Sequence, residues 1–132
     1  MFGKGVYFAD MSSKSANYCF TSRDNNTGIM LLCEVALGNE NPKLHADYYA
    51  ANLPDGKHST KGEGKIQPDP KNETNLDFDK DVMIPMGPAV ESNDPKYYLR
   101  YNEFIVYDIA QIKIRYLLRL KFNYNNNHGF FL

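Results

Sequence analysis

The sequence predicts an α+β domain that is rich in β-strands and poor in helix. Ten tyrosines and eight phenylalanines occur without a tryptophan, and aromatic residues favour strands. Apolar and polar residues alternate over residues 112–122, and this period of two indicates a strand with one buried face. A length of 132 residues, with 42% hydrophobic and 23% charged residues, is typical of one compact globular domain.

The first predicted elements are a short strand and a short helix. The strand covers residues 5–9, an apolar stretch that follows two glycines. Asp10 is expected to cap a helix that runs through Ser13 and Ala16 to Tyr18. Serines lower the helix propensity of this segment, so tertiary contacts must stabilise it.

A second strand and a long connection follow. Residues 28–37 are almost continuously apolar, which predicts a strand buried on both faces that ends at Gly38. Residues 39–98 contain all seven prolines and most of the turn-forming residues. We expect a long irregular connection here, interrupted by one short strand around residues 82–84. Such connections usually have a function or are disordered.

The last part of the chain has the clearest pattern. Residues 103–107 predict a strand, residues 108–111 a connector, and residues 112–122 the strand with alternating polarity. On its polar face we expect a basic row, either solvated or a weak surface for anionic ligands. That row contains Lys113, Arg115, Arg119 and Lys121. The expected domain covers residues 1–124, and residues 125–132 form a polar, asparagine-rich tail.

Charge and cysteine content exclude some classes of protein. Fifteen basic and sixteen acidic residues give a net charge of −1, which argues against a dedicated nucleic-acid-binding domain. Cys19 and Cys33 imply no disulfide framework and favour a reducing compartment. No apolar run approaches the ~18 residues of a membrane span, so no membrane partner is expected.

Metal and nucleophile motifs are weak in this sequence. His45, His58 and His128 are scattered and neither cysteine has a neighbour at ligand spacing, so no metal site is predicted. Cys33 lies in an apolar strand, where a buried inert thiol is favoured over a nucleophile. Residues 62–65 share glycines and a lysine with phosphate loops but lack the full pattern, which favours a flexible basic loop.

Glu103 is the most interesting titratable residue. It opens an apolar strand directly after a predicted loop, beside Tyr101 and Asn102. A carboxylate in that position is either a solvated strand end or a functional group, and residue chemistry alone leaves both interpretations open. Lys14, Ser15 and Tyr18 have the spacing of one helical face, and taken alone they are surface residues.

Several motifs together carry a family resemblance. Residues 3–19 read GKGVYFADMSSKSANYC, and further motifs follow at residues 32–38, 56–62, 101–108 and 115–123. This set, in this order, resembles the catalytic domain of the poly(ADP-ribose) polymerases of the DNA-damage-responsive type. The resemblance covers residues 1–124. It implies an ADP-ribosyltransferase fold of antiparallel sheets with short helices, present here as its C-terminal, N-terminally truncated portion.

The resemblance implies an activity and its partners. NAD+ is the expected co-substrate, with no metal: nicotinamide leaves, and ADP-ribose passes to protein acceptors and to growing poly(ADP-ribose). The transition state is similar to the oxocarbenium ion of glycoside cleavage. A nuclear protein of DNA repair is implied, without direct contact between this segment and DNA.

Residue roles follow from the same resemblance. Glu103 matches the family's catalytic glutamate, which stabilises charge on the ribose, binds a ribose hydroxyl and polarises the acceptor. Lys14 stands where the family has a lysine near that carboxylate. Tyr7 lines the pocket and positions the nicotinamide-side ribose. Tyr18 stacks on the nicotinamide ring and Ser15 hydrogen-bonds its carboxamide, which completes the predicted NAD+-binding set.

The sequence departs from the family pattern at the donor site. The family has a His-Gly pair well upstream of the tyrosine at Tyr7, whereas all three histidines of this chain follow Tyr7. We therefore expect little NAD+ turnover from these residues alone. The alternative function is a catalytically inactive, truncated remnant that serves as a binding or interaction module. Basic residues of the long connection would contact polymer pyrophosphates or be solvated; they are Lys57, His58, Lys61 and Lys65.

Overall fold

The computed structural model describes residues 1–77 and 79–124 of the chain. Its strands are β1 (Val6–Phe8), β2 (Thr27–Val35), β3 (Glu40–Lys43), β4 (Ser59–Gly62), β5 (Gly64–Pro68), β6 (Glu73–Leu76), β7 (Asp79–Pro85), β8 (Ala89–Glu91), β9 (Leu99–Tyr101), β10 (Glu103–Val106) and β11 (Ile112–Lys121). Helix α1 covers Ser12–Ala16, and two short 3₁₀ helices cover Pro70–Asn72 and Ile109–Gln111. The predicted strand-rich α+β class is confirmed.

The C-terminal tail predicted over residues 125–132 lies outside the described residues, together with His128. The division of the chain at residue 124 therefore stays a prediction. Among the described residues, no helix has the length and apolar character needed to cross a membrane.

The central sheet has four strands in the order β1-β10-β4-β3. β10 pairs antiparallel with both β1 and β4, so Ile105 lies opposite Tyr7 on one side and Thr60 on the other. The same register places Glu103 opposite Gly62. The candidate catalytic carboxylate therefore stands at the end of an interior strand.

Three smaller sheets accompany this one. They contain the strands β8-β5-β9, the pair β6–β7 and the pair β2–β11. Most strand pairs are antiparallel, in agreement with the expected architecture, but β3–β4 and β5–β9 are parallel. β9 leads directly into β10 and its glutamate, and β5 pairs with β9 beside that junction.

The hydrophobic core lies beneath the central sheet. Phe2, Ala50 and Ile105 form its buried cluster, and Tyr107 packs against it. The Tyr107 hydroxyl is hydrogen-bonded to the Phe2 carbonyl and to Thr60 Oγ1, each at 2.9 Å. Burial raises the pKa of Tyr107, against the effect of the Thr60 hydrogen bond. The N-terminal segment is thereby held to the strand that carries Glu103.

The prediction that β2 is buried on both faces is wrong. Ile29 is 60% exposed and Leu31 is 52% exposed. Within the described residues β2 pairs with β11, and this two-stranded ribbon does not bury its apolar side chains. Cys33 is half-buried, and burial raises the pKa of its thiol, which favours the protonated form.

The alternation predicted for β11 is also interrupted. The strand exists over Ile112–Lys121, but its register against β2 shifts between Ile114 and Tyr116. A β-bulge adds one residue and so exchanges the faces of everything that follows. Lys113 pairs with Glu34 before the bulge and Arg119 pairs with Ile29 after it, so these two basic residues lie on opposite faces. The predicted single basic row does not form.

The prediction of a long irregular connection is wrong as well. Residues 39–98 contain the six strands β3 to β8, of which β7 covers the short strand expected there. Residues 62–65 are not a flexible loop, because Gly62 ends β4, Gly64 begins β5, and both glycines are buried. β6 and β7 form a local hairpin, whereas β3, β4, β5 and β8 pair with segments much farther away in sequence. No local alternation of polarity indicates those distant pairings.

Asp10 does not cap helix α1. The N-cap residue is Met11, and no side chain makes a cap hydrogen bond there. The helix is also shorter than predicted, since it ends at Ala16 before Tyr18. Asp10 instead points its carboxylate at Asn102, a residue that immediately precedes β10.

Candidate active site

Glu103 is a buried carboxylate at the junction of β9 and β10. Its exposed fraction is 6%, so the solvated-strand-end interpretation is excluded. The glutamate begins an interior strand, and β1 and β4 flank that strand on both sides. A buried carboxylate costs several kcal/mol unless it is paired and hydrogen-bonded, so its partner defines the site.

That partner is Lys14 from helix α1. Lys14 Nζ donates a hydrogen bond to Glu103 Oε1 at 2.6 Å, and the two side chains are 22% and 8% exposed. Burial of the ammonium opposes its charge, but the hydrogen bond and the charge of Glu103 outweigh burial and raise the pKa of Lys14. Lys14 is therefore a stable cation at neutral pH. The structure brings these two predicted residues together.

Ser15 lies in the last turn of the same helix, and Tyr18 follows the helix end. The Tyr18 backbone N–H donates to the Ser15 carbonyl at 3.0 Å, which holds the two residues one turn apart. The Tyr18 ring is 65% exposed, and Lys14 Nζ lies 5.9 Å from its centroid. An exposed aromatic face beside a cation is available to stack with a planar ligand.

Tyr7 lies on β1 next to the carboxylate strand. Its hydroxyl accepts a hydrogen bond from the Phe2 N–H and donates one to the Gly3 carbonyl, each at 2.9 Å. Gly3 has a φ of +74°, a left-handed conformation that a glycine adopts readily. The Tyr7 hydroxyl is thus occupied by the N-terminal segment, while its half-exposed ring faces a cavity.

One large cavity connects several of these residues. It has a volume of about 820 Å³ and includes Tyr7, Ser15 and Tyr18 in its wall. Glu103 and Lys14 are not among the wall residues, but Asn102 and Phe104, on either side of Glu103, are. The size lies within the usual range of ligand sites. The ion pair therefore adjoins this wall through the two residues that flank Glu103.

A second polar group of residues lies beside the ion pair. Asn102 is 2% exposed, and its Nδ2 donates to Asp10 Oδ2 at 2.8 Å and to Gln67 Oε1 at 3.3 Å. Its Oδ1 accepts a hydrogen bond from the Gly64 N–H at 2.9 Å. Sequence patterns favour Asp10 as a helix cap and assign no role to Asn102. The adjacency of Asn102 to Glu103 was the available signal.

Burial raises the pKa of Asp10, although the Asn102 hydrogen bond and the charge of Lys61 act in the opposite direction. Within the described residues, Asp10 Oδ1 is shielded from solvent and has no hydrogen-bond partner. Each buried polar atom without a partner calls for an explanation, because it costs about 1–3 kcal/mol.

His45, His58 and Lys57 have local partners. His58 Nδ1 accepts a hydrogen bond from the Asn39 N–H at 3.0 Å, and the His45 ring lies 4.6 Å from the Tyr98 ring. Lys57 Nζ donates to the Glu40 carbonyl at 2.8 Å. The described part of the chain contains no group of three or more His, Cys, Asp or Glu side chains placed to hold a metal ion.

The geometry defines a class of protein. A buried carboxylate fixed by a lysine, at the end of a strand beside an aromatic-walled cavity, is suited to bind and stabilise developing positive charge. This arrangement, on small sheets with short helices, is that of an ADP-ribosyltransferase catalytic domain. Comparison with known families agrees, because residues 1–122 match the poly(ADP-ribose) polymerase catalytic domain. The chain belongs to this family.

Curated relatives show how much of the family's length the chain represents. It is similar to poly(ADP-ribose) polymerase 2 of Arabidopsis thaliana, with 55% identity over 126 residues, or 96% of this chain and 20% of the relative. Poly(ADP-ribose) polymerase 2 of Homo sapiens is 53% identical over 94% of this chain and 21% of its own length. Poly(ADP-ribose) polymerase 1 of Gallus gallus is 52% identical over 96% of this chain and 12% of its own length. The chain thus spans about a fifth or less of these relatives.

Proposed function

We propose that this chain provides the part of the active site that contains Glu103 in an NAD+ ADP-ribosyltransferase. That enzyme modifies protein acceptors and extends poly(ADP-ribose). The observation that carries the proposal is the buried Glu103 carboxylate, which Lys14 holds at 2.6 Å next to the cavity wall. A carboxylate is the appropriate group, because the reaction develops positive charge on a ribose.

In the proposed reaction, every bond, electron pair and proton is accounted for without a metal or an external oxidant. The bond between C1′ of the ribose and the nicotinamide nitrogen breaks, and its electron pair neutralises the pyridinium ring, which leaves as nicotinamide. An acceptor oxygen then forms the new bond to C1′ and releases its proton. Glu103 is proposed to stabilise the oxocarbenium-like transition state through a ribose hydroxyl and to polarise the acceptor hydroxyl.

The wall residues support the proposed recognition of NAD+. Tyr18 is 65% exposed and lies in the cavity wall, where its ring is suited to stack on nicotinamide. The Ser15 hydroxyl is suited to hydrogen-bond the carboxamide of the same ring. Tyr7 would contact the adjoining ribose with its ring, since its hydroxyl is used by Phe2 and Gly3. Orientation by such contacts supplies much of the rate of a group-transfer enzyme.

The test is Glu103→Gln in the full-length natural protein, with Glu91→Gln as control because Glu91 is exposed on β8. We expect polymer formation from labelled NAD+ to fall by about a hundredfold or more, with NAD+ binding changed by less than about threefold. Polymer of unchanged length and amount from Glu103→Gln would contradict the proposal. NAD+ binding by the wild type without any turnover would instead favour a non-catalytic binding module.

We further propose a nuclear protein that acts in DNA repair. The support is the similarity of the motif set to the DNA-damage-responsive members of the family. The net charge of −1 argues against a dedicated DNA-binding role for this segment. Fluorescence microscopy with and without DNA damage tests this proposal, and damage-independent, non-nuclear staining would contradict it.

A further inference from the structure

We propose that Asp10, acting through Asn102, is a positioning residue that holds Glu103 in register with Lys14. The inference deepens the proposed function and rests on it. Asp10 lies in the cavity wall together with Asn102, but the role proposed for it is exerted through Asn102 and not on the reacting atoms of NAD+ or the acceptor. Its role would be to fix the segment that carries the ammonium against the segment that carries the carboxylate.

Two contacts join the same two segments. Asn102 donates to Asp10 across 92 positions of sequence, and Lys14 donates to Glu103 across 89 positions. Asp10 and Lys14 are four residues apart, whereas Asn102 and Glu103 are adjacent. The β1–β10 ladder ends at the Phe8–Phe104 pair, and beyond it the Asp10–Asn102 and Lys14–Glu103 contacts continue to hold the two segments together. The Asp10–Asn102 hydrogen bond is thus the second point of attachment for the catalytic ion pair.

Asn102 is specifically suited to this task. Its amide nitrogen uses both hydrogens, toward Asp10 and Gln67, and its oxygen accepts from the Gly64 N–H. A side chain that is 2% exposed and bonded in three directions has a single available orientation. Because Asn102 precedes Glu103 directly, the fixed position of Asn102 also constrains the backbone of Glu103, the first residue of β10.

The position of Asp10 is costly to the folded protein, which argues for a use. Oδ1 has no hydrogen-bond partner among the described residues, and Oδ2 has the Asn102 amide. An asparagine or serine would avoid burying a carboxylate at this place. A carboxylate makes the stronger, charge-assisted bond to the amide, and such bonds fix geometry more firmly than neutral ones.

The test exchanges the two side chains in the full-length natural protein. Asn102→Asp places two carboxylates face to face, and we expect kcat to fall about tenfold while KM for NAD+ stays within about twofold. Asp10→Asn keeps an acceptor for Asn102 and should lower kcat by only about twofold. In the double exchange the amide stands at position 10 and donates to the carboxylate at position 102. We expect kcat to recover there at least about fivefold from the Asn102→Asp value.

Two further variants keep the result interpretable. Asp10→Ala removes the acceptor without adding a charge, and we expect about a fivefold loss of kcat at constant KM, even if Asn102→Asp does not fold. Asp24→Asn is the control, because Asp24 is exposed in a different loop. The proposal is overturned if the double exchange shows no recovery, or if every variant reduces activity only in proportion to its folded fraction.

The same measurements separate this inference from the proposed function. If Glu103→Gln abolishes transfer while the Asp10 and Asn102 variants keep kcat within about twofold, the positioning role alone is wrong. If Glu103→Gln leaves transfer unchanged, the proposed function itself is wrong, and the positioning role is overturned with it.

Discussion

The Lys14 ammonium and the Glu103 carboxylate lie 2.6 Å apart, although 89 positions of sequence separate them. The pair is mostly buried, and it raises the pKa of Lys14 in the folded state above its ordinary value of 10.5. Its contribution to stability is therefore fully present below that ordinary pKa and is lost as pH rises through the higher folded value. At neutral pH the pair is intact.

Removing the lysine tests what the pair contributes. Lys14→Met keeps the length of the side chain and leaves the Glu103 carboxylate buried without its cation. We expect the free energy of unfolding to fall by about 3 kcal/mol. This value is at the lower end of the range for removing one partner of a buried ion pair, because Lys14 is partly exposed. Urea denaturation measures this. Lys96→Met, which removes an exposed pair with Asp94, should cause no measurable change; equal effects of the two variants would contradict the assignment.

Replacing Tyr18 separates binding from stability. Its ring is 65% exposed, so Tyr18→Ala should leave the melting temperature almost unchanged. Loss of the stacking contact should raise the Kd for NAD+ roughly fivefold, which corresponds to about 1 kcal/mol. Tyr49→Ala is the matched control, because Tyr49 is 79% exposed and is not in the cavity wall. Identical NAD+ affinities for the two variants would remove Tyr18 from the proposed site.

Gly64 permits the close approach of β5 to the residues before Glu103. A Cβ at this position would lie 2.1 Å from the Tyr101 carbonyl carbon and 2.6 Å from the Asn102 nitrogen. Gly64→Ala must therefore displace backbone, and we expect a loss of about 3 kcal/mol or more together with lower kcat. At Gly56 a Cβ meets nothing within 4 Å, and only its φ of +75° is unfavourable. Gly56→Ala should cost roughly 1 kcal/mol in a thermal melt and leave kcat unchanged.

The buried carboxyl group of Asp10 should make the stability of the protein depend on pH. Burial raises its folded pKa above the ordinary 3.8, so the folded state binds the proton more tightly than the unfolded state. The contribution of Asp10 to stability is present below that ordinary pKa and is lost as pH rises through the folded value. We therefore compare the melting temperatures of Asp10→Asn and wild type between about pH 3.5 and about pH 7, a range that spans the usual carboxyl pKa of about 4. The melting temperature of the variant should rise relative to that of the wild type as the pH increases. A constant difference across this range would show that burial does not perturb Asp10.

The strands with regular apolar patterns were predictable. Residues 5–9 and 103–107 contain β1 and β10, residues 28–37 contain all of β2 except its first residue, and the period of two predicted β11. The strands between residues 39 and 98 were not predictable in this way. β5 (Gly64–Pro68), for example, has little apolar character of its own and exists because β8 and β9 supply its hydrogen bonds.

The motifs of the chain were sufficient to identify the family and to name Glu103, Lys14, Ser15, Tyr18 and Tyr7 as candidates. The order of the motifs can be recognised in the sequence without knowledge of the fold. Burial is different, because it depends on which distant segments return to cover a residue. Only the folded chain shows that Glu103 is enclosed and that Asp10 meets Asn102 rather than a helix N-terminus. Both facts come from contacts across about ninety positions, and local propensity does not encode contacts at that separation.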